Sequence, residues 1–79
     1  MIIKESNFEN GGEVDFTARY KEHGKGEGRM SLRKKDGSYE VYVHWFKGNT
    51  ETTLCTSPKL NVCVGFANTI LGTDDTVEG

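Results

Sequence analysis

Residues 39–46, Tyr-Glu-Val-Tyr-Val-His-Trp-Phe, set the tightest constraint on how this chain folds. Strand side chains alternate between faces, so Tyr39, Val41, Val43 and Trp45 fall on one side and Glu40, Tyr42, His44 and Phe46 on the other. Both faces are partly apolar. A helix can cover one of them, but a chain of 79 residues has little left with which to cover the second. A domain of this size buries only about 60–65% of the surface its unfolded chain exposes, and its stability margin is slim. The second face therefore meets a partner or is covered by residues the pattern does not identify.

The flanking sequence predicts a single α+β domain over 1–79, an antiparallel sheet with one C-terminal helix packed on one face. The sheet has four strands, or five if the N-terminus joins. Residues 1–12 read as an arm or edge strand, broken by Asn10-Gly11-Gly12. Residues 14–56 read as a meander. Val14, Phe16, Ala18 and Tyr20 alternate along its first strand, and Met30 and Leu32 point inward from a strand over 29–33. His23 to Gly28, with three glycines, reads as a mobile loop. Asp36-Gly37 is the strongest hairpin signal, and Lys47 to Thr50 makes the next turn.

The helix is expected over 57–72, capped by Ser57, with Pro58 at its first position and Gly72 at its end. Its apolar stripe is Leu60, Cys63, Val64, Ala67, Ile70 and Leu71. Residues 73–79 read as a frayed acidic tail. On the strand and the helix, Cys55 and Cys63 are expected to be reduced thiols that do not face each other at disulfide geometry. With His23 and His44 they match no zinc spacing, so no metal or cofactor is expected.

No apolar run approaches the roughly 18 residues a membrane span needs, and the start lacks a signal-peptide core. The expectation is a cytoplasmic protein. Its net charge of −2 is segregated: Glu5, Glu9, Glu13 and Asp15 dominate the first fifteen residues, and Asp74, Asp75 and Glu78 the end, around a basic middle. Acidic ends solubilise, and they also orient a partner and imitate phosphate toward a basic one.

If the helix covers the Val41 and Trp45 side, the other side displays Arg19, Lys21, Arg29, Arg33, Tyr42, His44 and Phe46. Arg–aromatic pairs stabilise a sheet by themselves. They also make a protein-binding or self-association face, in a monomer or homodimer. A third reading is single-stranded nucleic acid, with bases on the rings and phosphates on the arginines. Against it stands a pI near 5.6, where dedicated binders exceed about 9. Chemistry is poorly provided for. Gly24 to Gly28 lacks phosphate-loop spacing, and Glu40 and His44 lie roughly 13 Å apart along a strand, so no enzyme is expected.

Two resemblances bear on function. Arg29 to Arg33, the Asp36-Gly37 turn, Tyr39 to Phe46 and a helix after Pro58 follow one another in an order similar to the Whirly type of single-stranded-DNA-binding transcription coactivators. That likeness covers about half of the chain and implies dimerisation through the helix and strand binding on the sheet. The chain also resembles, in format, small phage-encoded inhibitors of the anti-CRISPR type: short, acidic, single-domain and without a catalytic constellation. This implies a protein that occludes a host nucleic-acid-handling complex; no residue carries over from the resemblance, and the contacts expected are those of the uncovered sheet face, Arg19, Lys21, Arg29, Arg33, Tyr42, His44 and Phe46. The acidic ends Glu9, Glu13, Asp15, Asp74 and Asp75 would accompany them. Replacing Tyr42 and Phe46 by Ala is expected to weaken partner binding and spare the fold.

Overall fold

Asp36 and Gly37 both adopt left-handed backbone, with φ of 52° and 78°, the twist a two-residue hairpin turn requires. They join β3 (Gly26–Lys35) to β4 (Ser38–Trp45), with Lys35 opposite Ser38 and Arg33 opposite Glu40. In this computed structural model, which describes residues 1–78, β2 (Glu13–Glu22) flanks β3 and β5 (Thr50–Ser57) flanks β4. The four form an antiparallel sheet in the order β2-β3-β4-β5, and α1 (Leu60–Leu71) packs across β4 and β5. The fold is α+β, as the pattern predicts.

The helix covers the expected face. Tyr39, Val41, Val43 and Trp45 are buried with Met30 and Leu32 beneath Leu60, Cys63, Val64 and Ala67. Of the predicted stripe only Ile70 escapes, at 45% exposure. The start of the helix is later than predicted. Pro58 disfavours helical backbone at the residue before it, so Ser57 stays extended as the last rung of β5, opposite Tyr39. Lys59 becomes the N-cap, and the Ser57 hydroxyl accepts the Lys59 amide at 3.1 Å. Gly72 ends α1 in left-handed geometry, φ 69°, as expected.

The chain ends depart furthest from the pattern. Ile2–Ile3 forms β1, which pairs in parallel with β6 (Thr76–Val77) and not with the main sheet. Glu5–Gly11 winds into 3-10 turns, broken at Glu9 and Asn10. Ile3 from β1 and Phe8 from the 3-10 turns reach the core, Phe8 edge-on to Tyr39 with ring centroids 5.3 Å apart. Each such side chain is worth about 1.5–3 kcal/mol on burial, so the segment is a lid on the core and not a loose arm. The tail is tied down as well. Asn68 donates to Asp75 O at 2.9 Å and accepts the Asp75 amide at 3.1 Å, and the Met1 amine meets Asp75 Oδ1 at 3.0 Å. Gly79, the last residue of the tail reading, lies outside the described residues.

One further expectation is corrected. The loop after β2 is only His23 to Lys25, because Gly26 and Gly28 belong to β3. Cys55 and Cys63 are both free thiols, brought to the same side of the sheet by the two-residue connection between β5 and α1. Among the described residues, no helix is long and apolar enough to cross a membrane.

Gly28 is buried opposite Trp45, where an added Cβ would stand 2.7 Å from His44 O and closer still to the Val43 side chain. Gly28→Ala should therefore lower stability by about 1–3 kcal/mol, read as a fall in the urea midpoint at unchanged slope. Gly65→Ala, whose new Cβ meets nothing within 4 Å, should hold or raise that midpoint.

Candidate functional site

The face opposite α1 is covered at its centre by its own side chains. Tyr42 there is only 5% exposed. The Arg33 guanidinium lies over its ring, 3.9 Å from the centroid, and its hydroxyl donates to Glu13 Oε2 at 2.8 Å. Arg33 Nε donates to Glu40 Oε1 at 2.7 Å, and its Nη2 reaches Glu51 Oε1 at 3.2 Å. Thr53 donates to the second Glu40 oxygen at 3.1 Å, and Ser31 to Asp15 Oδ1 at 2.6 Å. The network draws on β2, β3, β4 and β5 in turn.

Electrostatics follow from that closure. Glu40 is 9% exposed, and a carboxylate so placed is tolerable only with charge and hydrogen bonds supplied to it. Burial works to lower the Arg33 pKa, but the Glu40 and Glu51 carboxylates outweigh it and the net movement is upward. Burial, and then the acceptor Glu13, push the Tyr42 phenol up to about 12. Among the described residues, no buried side-chain nitrogen or oxygen is left without a partner.

The predicted contact residues thus divide. Arg33 and Tyr42 are built into the sheet, so Tyr42 is not the free contact the alternation suggested. Arg19, Lys21, Arg29, His44 and Phe46 form an accessible rim at the end of the face where β2 turns into β3. Phe46 follows β4 directly, 47% exposed, with its amide donating to Glu27 O at 3.1 Å. The Arg19 guanidinium stands 5.5 Å from the centre of its ring. Arg19 and Arg29 are cross-strand neighbours, a like-charge pair offset by two carboxylates: Glu27 at 3.2 Å from Arg19 and Asp15 at 3.7 Å from Arg29. His44 Nδ1 lies 4.0 Å from Glu51.

The acidic ends divide too. Glu13 and Asp15 serve the sheet face and Asp75 serves the tail, while Glu9 and Asp74 are exposed. Of the carboxylates that neutralise the face, the alternation places Glu40 there without its role, and it gives no sign of Glu27 or Glu51. The role of Glu40 was recoverable: a two-residue turn at Asp36-Gly37 places Arg33 opposite Glu40. A surface depression lies elsewhere, between Lys4 to Ser6 and Pro58 to Asn61, and Lys4 is already paired there with Glu78 at 3.4 Å. Among the described residues, no group of three or more His, Cys, Asp and Glu side chains converges as metal ligands. Comparison with protein-family models, curated proteins and solved structures found no match.

Tyr42 makes the closed centre testable through pH. Its phenol ionises near 10 in the unfolded chain and near 12 in the fold, so its contribution is intact below pH 10 and is lost as pH rises from 10 to 12. The loss should be on the order of 2 kcal/mol in urea titrations, and Tyr42→Phe should flatten that part of the profile. Tyr42→Ala should cost about 2–4 kcal/mol at neutral pH, whereas Phe46→Ala should stay within about 0.5 kcal/mol of wild type.

Proposed function

We propose that this chain is a non-enzymatic, cytoplasmic protein-binding module, a phage or mobile-element inhibitor of the anti-CRISPR kind that sterically blocks a host nucleic-acid-handling complex. The observation that carries the binding reading is Phe46, half exposed with Arg19 over its ring beside Arg29 and His44. A large ring held at the surface by a guanidinium offers contact area at little cost in side-chain ordering. Aromatic and arginine side chains dominate interface hot spots for that reason. A blocking protein needs such a surface and no reacting groups.

The carboxylates favour this reading over single-stranded nucleic acid. Arg19, Arg29 and Arg33 each stand within ion-pair distance of Glu27, Asp15, or Glu40 and Glu51. Phosphates would have to displace those partners, whereas an apolar or aromatic group of a protein can seat on Phe46 without disturbing them.

The test pairs two measurements. Fluorescence anisotropy with labelled single-stranded DNA and RNA at two salt concentrations should show no tight binding at low salt. Affinity capture from host lysate should yield a defined complex whose recovery falls roughly tenfold or more with Phe46→Ala or Arg19→Ala, and hardly at all with Lys35→Ala on the remote turn. Binding to single strands that weakens steeply with salt would transfer the face to nucleic acid. Capture indifferent to both rim substitutions would refute the assignment of the site.

A further inference from the structure

Cys55 and Cys63 lie on the other side of the sheet from the rim. Cys55 sits opposite Val41 in the β4–β5 ladder, so its side chain points with Val41 toward α1. Cys63 is fully buried on the inner face of α1, and its Sγ donates to Tyr39 O at 3.4 Å. Tyr39 is the next residue of β4 on that face, and it pairs with Ser57, two positions beyond Cys55. Both thiols therefore occupy one seam between α1 and the β4–β5 ladder, and both are free. No charged side chain belongs to α1, which places them in an apolar setting.

The two sulfurs differ in access. Burial, and after it the adjacent Cys55 thiol, push Cys63 up to about 11, so Cys63 is protonated at neutral pH. Cys55 is only partly buried and packs at the margin of the core, where a small solute can reach it. An accessible thiol backed by an inaccessible one is the arrangement in which the first reacts with a solute and the second resolves the product.

We propose that Cys55 and Cys63 form a reversible disulfide modification site, oxidised by low-molecular-weight disulfides of the glutathione type, that staples α1 to β5. The Cys55 thiolate attacks one sulfur of glutathione disulfide; that S–S bond breaks, a new one joins Cys55 to glutathione, and one glutathione thiolate leaves. Cys63 then gives its proton to solvent, attacks the Cys55 sulfur and expels the second glutathione thiolate. The two protein thiols lose two electrons and glutathione disulfide gains them. The closed bond needs the sulfurs to approach to about 2.05 Å, a movement within the seam that the short β5–α1 connection already brings together.

The full reduced chain, incubated with excess glutathione disulfide, quenched by alkylation and weighed intact, decides the matter. The wild type should lose two hydrogens and carry no adduct, with peptide mapping placing the bond between Cys55 and Cys63 and dithiothreitol reversing it. Cys63→Ser should stop with one glutathione on Cys55, and Cys55→Ser should remain unmodified over the same exposure. In denaturing urea the ratio of internal disulfide to glutathione adduct should fall about tenfold or more, because the fold no longer holds the thiols together. This urea arm uses the wild type alone and stands even if a serine variant misfolds. A wild type that ends as a glutathione adduct, as a disulfide-linked dimer or as unreacted thiols overturns the proposal, as does a ratio unchanged by urea.

Discussion

A central strand with large side chains on both faces needs two covers, and β4 sets that demand for the whole domain. One cover is conventional: α1 lies over Tyr39, Val41, Val43 and Trp45 and makes the core. The other is assembled from charged side chains of the sheet itself. Arg33 lies flat over Tyr42, and the carboxylates of Glu13, Glu40 and Glu51 hold the ring and the guanidinium in register. Arginine suits this place because its planar group stacks on an aromatic while its edge donates to carboxylates. Losing Arg33 would leave a desolvated charge on Glu40, so β3, β4 and β5 are coupled through that carboxylate, while β2 joins through Glu13 on the Tyr42 hydroxyl.

How much of this was legible in the sequence follows from the range of the interactions. Asp36-Gly37, the alternation of Tyr39 to Trp45 and the 3.6-residue stripe of α1 are local signals, and each appears in the fold. The helix start was misread because two local rules competed at Ser57-Pro58: a capping serine before a proline also marks an extended residue before a proline, and the ladder to Tyr39 decided between them. The ends were misread because two-residue strands carry no periodicity. Ile2–Ile3 and Thr76–Val77 become strands only when each meets the other. Alternation places Tyr42 on the open face, but it says only which side a residue faces and nothing about what its neighbours lay over it.

The same limit governed the candidate site. Arginines and aromatics in alternation are visible in one dimension, but the acids that neutralise them come from other strands at registers the sequence does not state. Leu54 shows why: a bulge shifts the pairing between Val41 with Cys55 and Tyr42 with Thr53, and so moves Glu51 to the position opposite His44, within reach of Arg33. A second irregularity sets Phe16 to Ala18 against Met30 alone, and it brings Arg19 directly beside Arg29. Bulges increase local twist and re-aim side chains, and here they decide which charges meet.

The sheet itself separates the two halves of the molecule's surface chemistry. On the open face the arginines already hold carboxylates, so a newcomer gains little by supplying more charge and more by covering Phe46, the ring left half exposed. On the helix side the seam holds the thiols of Cys55 and Cys63, with the thickness of the sheet between them and the rim. Oxidation there would fix α1 against β5 without moving Arg19, Arg29 or Phe46. The redox state of the seam should then bear on how firmly the domain holds together, while the recognition proposed for the rim would depend on one ring and the guanidinium stacked upon it.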